Sequence, residues 1–380
     1  MLNSPSNLST MVSNASSSFN RKRSVRRSSN KKYTLKDYTD YLAEHQIDAP
    51  LKVIATICVC YLVGIPYFDK FLFIAHQDAT TGLYGKGGWD LMFLFFYINV
   101  FTMLRAATME YVLIPIAVAG GVAKKKRTRF AEQMWTVIYY SVSFLVGVHL
   151  AYNSTYWFNT SEFWRGYPHI YQTKLFKYYY VVQFSYWLQQ IFVLQIEAPR
   201  SDYRELVLHH ITTLLLISLS YSMNYTRIGN AIFVCMDLPD VLLALAKSFN
   251  YLNYRFLCDS LFFIMLCTWV YTRVFLYGCI IWSTYTEPDL YVNFKLDPLN
   301  GSWFPYFAKY IILFLELVLY GLMLFWTAMM FKVLFKVLFG NAASDERSDD
   351  EDVPEENDRQ TTAGTTSAVQ SHNGAPTKRK

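Results

Sequence analysis

The sequence predicts an all-α polytopic membrane protein with about eight transmembrane helices. Hydrophobic residues make up 53% of the chain and charged residues 17%, against roughly 25% charged in a typical soluble domain. The apolar residues are gathered into runs long enough to cross a bilayer core, which takes about 20 residues. Charge is pushed to the two ends. Residues 21–36 hold eight Lys/Arg and no acid, and residues 341–359 hold nine Asp/Glu and two Arg. This pattern excludes an ordinary soluble enzyme. The six cysteines all fall in apolar segments with no CxxC pair, which points away from a disulfide framework or a zinc site.

Taken in order, the candidate spans are 51–68, 89–120, 131–151, 175–196, 205–222, 229–249, 256–284 and 305–337. The first is short and is broken by Gly64 and Pro66. The second contains Arg105, Glu110 and Pro115, so it reads either as one long kinked helix or as a span plus an interfacial piece. The first 50 residues lack an apolar run, so no cleavable signal peptide is expected. Residues 1–50 form a basic tail and 341–380 an acidic tail, neither with the composition to bury a core. Ser348, followed by Asp349, Asp350 and Glu351, has the surroundings of an acidophilic-kinase site.

Eight spans place both termini on one side, and the distribution of positive charge says which. The N-terminal arm, the run Lys124 to Arg129, Arg200, Arg204, Arg255, Lys332 and Lys336 share a side, which is expected to be cytosolic. The Asn-x-Ser/Thr tripeptides at Asn153, Asn159, Asn224 and Asn300 fall on the other, and those at Asn7 and Asn14 lie in the tail. Beside membrane segments, the basic arm signals topology or anionic lipid; nucleic acid is not the expected partner.

Ionisable residues inside a bilayer are costly and mark functional sites by default. His209 and His210 lie five and six residues into the fifth span, about 8–9 Å from its start at 1.5 Å per residue. Asp240 falls at a similar depth on the sixth span, with Asp237 one turn deeper. A loop of only about six residues joins these spans, so they are expected to be antiparallel neighbours. Asp237 and Asp240 share a helix face. Pro239 between them frees the carbonyl of Cys235. Histidine beside carboxylate suits a general base or nucleophile whose tautomer an acid fixes. A bound metal, or plain pairing between helices, would also use these residue types. Lys247 is expected near the cytosolic end of the sixth span, free to snorkel or to attract a phosphate. Trp269 and Arg273 are spaced to stack. Lys309 and Glu316 are about 10 Å apart on one face, too far for contact.

The stretch Asp202-Tyr203-Arg204-Glu205-Leu206-Val207-Leu208-His209-His210-Ile211-Thr212-Thr213 resembles the start of the longevity-assurance signature of ceramide synthases. Its continuation is similar too: Ser220-Tyr221, Asn224, Thr226 to Gly229, Met236-Asp237-Leu238-Pro239-Asp240, Ala246-Lys247 and Asn250-Tyr251. A broader resemblance to the TLC domain runs from about Phe130 to Gly340 and takes in Tyr186-Trp187-Leu188-Gln189-Gln190 and Trp269 with Arg273. The basic tail and the extra N-terminal helix pair resemble the fungal type.

The resemblance implies a TLC-type barrel of six or so helices around a lipid cavity, spanning residues 125–340, with accessory helices at 51–124. It implies transfer of a fatty acyl chain from acyl-CoA, as co-substrate with no bound cofactor and no metal, to a sphingoid base in the endoplasmic reticulum membrane. The family's paired histidines map onto His209 and His210, and its acids onto Asp237 and Asp240; Asn224, Lys247, Arg273 and Arg204 are the implied substrate-binding residues. A small single-span regulatory subunit and a homo- or heterodimer are implied as well. Two other classes remain open at this point. Acyl-CoA elongases carry an HxxHH box, but Leu206 stands where its first histidine would be. A non-enzymatic TLC-fold lipid carrier or sensor need not keep the paired His and Asp.

Overall fold

A computed structural model describes residues 41–339 apart from 42, 198–200 and 301 with its neighbours 298–300. The two tails, Ser348, Arg200 and the tripeptides at Asn7, Asn14 and Asn300 lie outside the described residues. A helix stands at each of the eight expected segments: α1 (Asp48–Leu62), α2 (Asp90–Ala119), α3 (Arg127–Tyr152), α4 (Lys174–Ile196), α5 (Tyr203–Ser222), α6 (Thr226–Tyr251), α7 (Arg255–Thr286) and α8 (Tyr306–Leu338). A two-stranded hairpin, β1 (Lys295–Asp297) and β2 (Ser302–Phe304), precedes α8.

Five of these helices, α2, α3, α6, α7 and α8, are long and apolar enough to cross a membrane. Large apolar side chains such as Leu91, Leu145, Phe256 and Trp282 stand exposed on them, as lipid-facing surface requires. The protein is a multi-pass, all-α membrane protein. The first segment differs from its expected bounds. α1 stops at Leu62, because Gly64 takes a left-handed φ of 83° and Pro66 cannot continue the ladder. At 15 residues it is about 22 Å long, short of a bilayer core of about 30 Å.

The second segment is one continuous helix. Pro115 has no N–H to donate, and the turn just before it, Met109–Leu113, widens to π geometry, which absorbs the missing bond. A second π turn, Val270–Leu276, carries Arg273 inside α7.

Connections α2–α3, α4–α5 and α6–α7 gather at one end, the basic end. The α1–α2, α3–α4, α5–α6 and α7–α8 connections gather at the other, the loop end. Cross-links tie each end together. At the loop end Trp164 Nε1 donates to Ser283 Oγ (2.8 Å), Tyr167 OH to the Met223 carbonyl (2.9 Å) and Gln172 Nε2 to Thr226 Oγ1 (2.9 Å). At the basic end Arg105 of α2 meets Glu197 at the end of α4 (2.5 Å). α5 and α6 are joined by three residues, 223–225, with Asn224 at φ 66°, a conformation asparagine tolerates better than most.

The two helices are antiparallel neighbours, as expected, but they splay apart from their shared turn. α6 packs chiefly on α3 and α7, while α5 packs on α4 and α8. Two apolar clusters flank the gap, one around Trp269, Tyr277 and Met323, the other around Phe93, Tyr180 and Tyr186. The gap closes only at the loop end. There a Cβ on Gly229 would come within 2.1 Å of the Tyr180 hydroxyl and 2.9 Å of Ser220 Oγ, so only glycine lets the three helices meet.

The loop end also holds a titratable group with a stability consequence. His169 is half-buried with Nε2 3.3 Å from the Phe163 carbonyl. Burial, with Arg227 adding to it, pushes its pKa down to about 4, against about 6.5 in an unfolded chain. The fold therefore holds the neutral ring, and the unfolded chain takes up the proton first as pH falls. This contribution to stability is whole above about pH 6.5 and is lost progressively toward pH 4. Thermal melts in detergent should fall across that window, and His169→Gln should flatten the slope; a wild-type midpoint constant from pH 7 to 4.5 would refute it.

Candidate active site

The gap between α5 and α6 is an internal channel of about 260 Å³. Its wall on α5 runs from Asp202 to Ser220 and on α6 from Ile228 to Lys247, about 27 Å on each helix. So small a volume over such a length makes a channel about one hydrocarbon chain wide. Arg105, Glu132, Gln190, Glu197 and Lys247 stand at the basic end; Trp164, Tyr225 and Ser220 close the loop end.

His209 and His210 sit in the upper part of this channel, their rings perpendicular with centroids 5.6 Å apart. Trp187 of α4 meets both rings edge-on at 5.6 Å, and Trp326 of α8 meets His209 at 5.5 Å. The indoles hold the imidazoles by shape. His210 Nδ1 lies 2.8 Å from the Leu206 carbonyl one turn back. That bond needs N–H at Nδ1 and so leaves the lone pair of a neutral ring on Nε2. His209 Nδ1 and Trp187 Nε1 are buried with no hydrogen-bond partner among the described residues. Thr213 Oγ1, one turn further along α5 on the same face, is in the same state.

The two acids face the histidines across the channel, but their hydrogen bonds go elsewhere. Ser143 Oγ of α3 donates to Asp237 Oδ2 at 2.5 Å, and Gln183 Nε2 of α4 reaches the same oxygen at 3.4 Å. Gln183 also donates to Ser143 Oγ and accepts from Tyr139 OH at 2.6 Å. Asp237 thereby locks α3, α4 and α6 together. Asp240 Oδ2 pairs with Arg273 Nη2 at 2.7 Å. Arg273 also donates to the Met236 carbonyl at 2.5 Å and lies 3.9 Å above the Trp269 ring, the stack the i, i+4 spacing anticipates. The π turn of α7 carries the guanidinium to that carbonyl, one residue past the Cys235 carbonyl that Pro239 leaves without its helical donor.

Of the eight residues singled out from sequence, six line the channel: His209, His210, Asp237, Asp240, Lys247 and Arg273. The other two do not. Arg204 is exposed on the first turn of α5, and Asn224 is buried in the α5–α6 turn, where its backbone conformation accounts for it. Lys309 and Glu316 are apart, as expected. Lys309 Nζ pairs with Asp289 (2.7 Å), and Thr284 Oγ1 donates to Glu316 Oε1 (3.3 Å). Sequence reasoning missed Asp202, Trp326, Ser143, Gln183 and Glu197. Gln183 carried a usable signal, since an amide inside an apolar helix must find partners. Among the described residues no group of three His, Cys, Asp or Glu is arranged to hold a metal ion.

Fold and site together define a membrane enzyme that works on a lipid, with a histidine pair set inside a hydrocarbon-width channel. A family model described as the TLC domain matches residues 129–332. A sphingosine N-acyltransferase of Schizosaccharomyces pombe is 36% identical over 334 residues, covering 83% of this chain and 85% of that protein. A second from the same yeast is 34% identical over 291 residues, 75% of this chain and 76% of that protein. A ceramide synthase of Saccharomyces cerevisiae is 38% identical over 268 residues, 70% and 65%. The chain belongs to this family, the TLC-domain sphingosine N-acyltransferases or ceramide synthases, and lies with its fungal members.

Proposed function

We propose that the chain transfers the acyl group of a long or very long chain acyl-CoA to the amine of a sphingoid base, dihydrosphingosine or phytosphingosine, giving (dihydro)ceramide and CoA. The observation that carries the reading is the histidine pair inside the channel. The thioester reaches the histidines from the basic end, and the acyl tail runs on toward Trp164. No bound cofactor is needed. The basic end is read as cytosolic on its positive charge, and the membrane as that of the endoplasmic reticulum. A small single-span regulatory subunit and a homo- or heterodimeric assembly are proposed on family resemblance alone.

The chemistry divides between the two rings. The neutral His209 imidazole attacks the thioester carbon. The C–S bond breaks, and CoA thiolate leaves for the cytosolic side. His209, still carrying its other ring N–H, is then an acyl-imidazolium. The sphingoid amine, in its neutral form after its extra proton has passed to water at the basic end, attacks it. Its C–N bond forms as the acyl–imidazole bond breaks, and the amine proton passes to Nε2 of His210, whose tautomer the Leu206 carbonyl sets. Arg273, tied to Asp240, places positive charge near the carbonyl oxygen in both steps. Intact-protein mass spectrometry with a very long acyl-CoA and no base tests this. An added acyl mass that clears on adding dihydrosphingosine, with ceramide appearing, is the expected result. Ceramide made without any adduct would replace it with direct transfer, a histidine serving only as base. Neither adduct nor ceramide from folded protein would leave a lipid carrier or sensor.

A further inference from the structure

Asp202 opens α5 at the position where an aspartate usually accepts a backbone N–H from the first turn, yet its side chain makes no such bond. It is 6% exposed and lines the channel. Its Oδ2 accepts from Trp326 Nε1 at 3.0 Å, and its Oδ1 is buried with no hydrogen-bond partner. The neighbouring channel carboxylates are otherwise occupied. Glu197 has Arg105, Glu132 has Arg129 (3.1 Å), Asp240 has Arg273, and Asp237 has Ser143. No ion pair to Asp202 occurs among the described residues. A carboxylate in a protein interior calls for a cation or further donors. Seven residues before His209, Asp202 sits on the same face of α5, about 10 Å nearer the basic end, with the Trp326 ring between them.

We propose that Asp202 is the carboxylate that receives the cationic amino-diol head group of the sphingoid base as it enters; this rests on acyl transfer to such a base being the reaction. An aliphatic amine is protonated at neutral pH, so the incoming base offers one positive charge and flanking hydroxyls. Acyl-CoA is anionic and gains nothing from the same group. Glu316 is the other channel carboxyl with an unpartnered oxygen, but it lies ten residues, about 15 Å, beyond Trp326 along α8, beside the acyl tail rather than the head.

The test uses the full-length enzyme, with each substrate varied separately. Asp202→Asn should raise KM for dihydrosphingosine at least tenfold. KM for acyl-CoA and the acyl loading seen without base should stay within twofold. Trp326→Phe keeps an aromatic ring and loses the N–H, and should leave KM for the base within twofold whatever it does to kcat. A matching rise in that KM with Trp326→Phe would reduce Asp202 to a support for the indole and overturn the proposal, as would an unchanged KM in Asp202→Asn. Should Asp202→Asn not fold, the wild type decides. An analogue with hydroxyl in place of the amine should inhibit at least tenfold more weakly than the amine competes; equal binding overturns the proposal. If the wild type forms no amide at all, the acyl-transfer reading fails first and takes this one with it.

Discussion

His209→Ala is expected to abolish ceramide formation while the protein stays folded. Loss of a positioned proton acceptor alone costs about 10²–10⁴ in rate. On the proposed acyl-histidine route, losing the atom that would carry the acyl group removes both steps and leaves only a slow direct reaction in the channel. A thousandfold loss corresponds to about 4 kcal/mol of transition-state stabilisation. Folding should survive, because the ring makes no hydrogen bond through Nδ1 and its ring contacts, with Trp187, Trp326 and His210, are edge contacts. His210→Ala separates the roles. It should still accumulate the acyl adduct, but release it to dihydrosphingosine at least about a hundredfold more slowly. An adduct that forms normally in His209→Ala and is missing in His210→Ala would reverse the assignment.

The second large effect is on stability and lies at the other end of the molecule. Lys177 on the first turn of α4 is completely buried. Its Nζ meets Asp90 Oδ1 at 2.8 Å and donates to the carbonyls of Ala75 (2.8 Å) and Gly85 (2.7 Å). Asp90 opens α2, where the helix dipole favours an acid. Its Oδ2 accepts from Tyr221 OH at 2.8 Å and from the Gly87 amide at 3.0 Å. Lys86 bonds the carbonyls of Tyr221 and Ser222 beside it. The cluster fastens the α1–α2 connection to α4 and α5. Asp90→Ala would leave the Lys177 charge buried without its counter-ion, a change that costs about 3–5 kcal/mol. Thermal melts in detergent should show a drop of roughly 10 °C. Lys177→Met in the Asp90→Ala background should recover much of it, since the unpaired charge is then gone. Activity per folded molecule should be little changed, because the histidines are at the far end of the channel. A midpoint within 2 °C of wild type, on the scale of about 1 kcal/mol or less, would show the pair to be energetically idle.

The helices were legible because each carries a long apolar run, and a run that long has few alternatives in a bilayer. That His209 and His210 on one span and Asp237 and Asp240 on the next come to one channel was legible for the same reason, since helix rise fixes positions along each span. Their partners were not. Which side of a helix meets which neighbour depends on packing that no local pattern encodes, so the Ser143 and Gln183 contacts to Asp237 came only with the fold. The splaying of α5 from α6 was hidden too. A three-residue turn pins one end of each helix and says nothing about the other. Asn224 lies off the channel, in a turn whose left-handed φ of 66° was not legible in the sequence.

The narrowness of the channel bears on how the product travels. One hydrocarbon chain fills it, whereas ceramide has two joined at the head. On the proposed reaction the second chain lies outside the channel, in the surrounding bilayer, while the head group is at the histidines. Departure is then a sideways slide into the leaflet rather than a return to water, and the finished lipid is born already in its membrane.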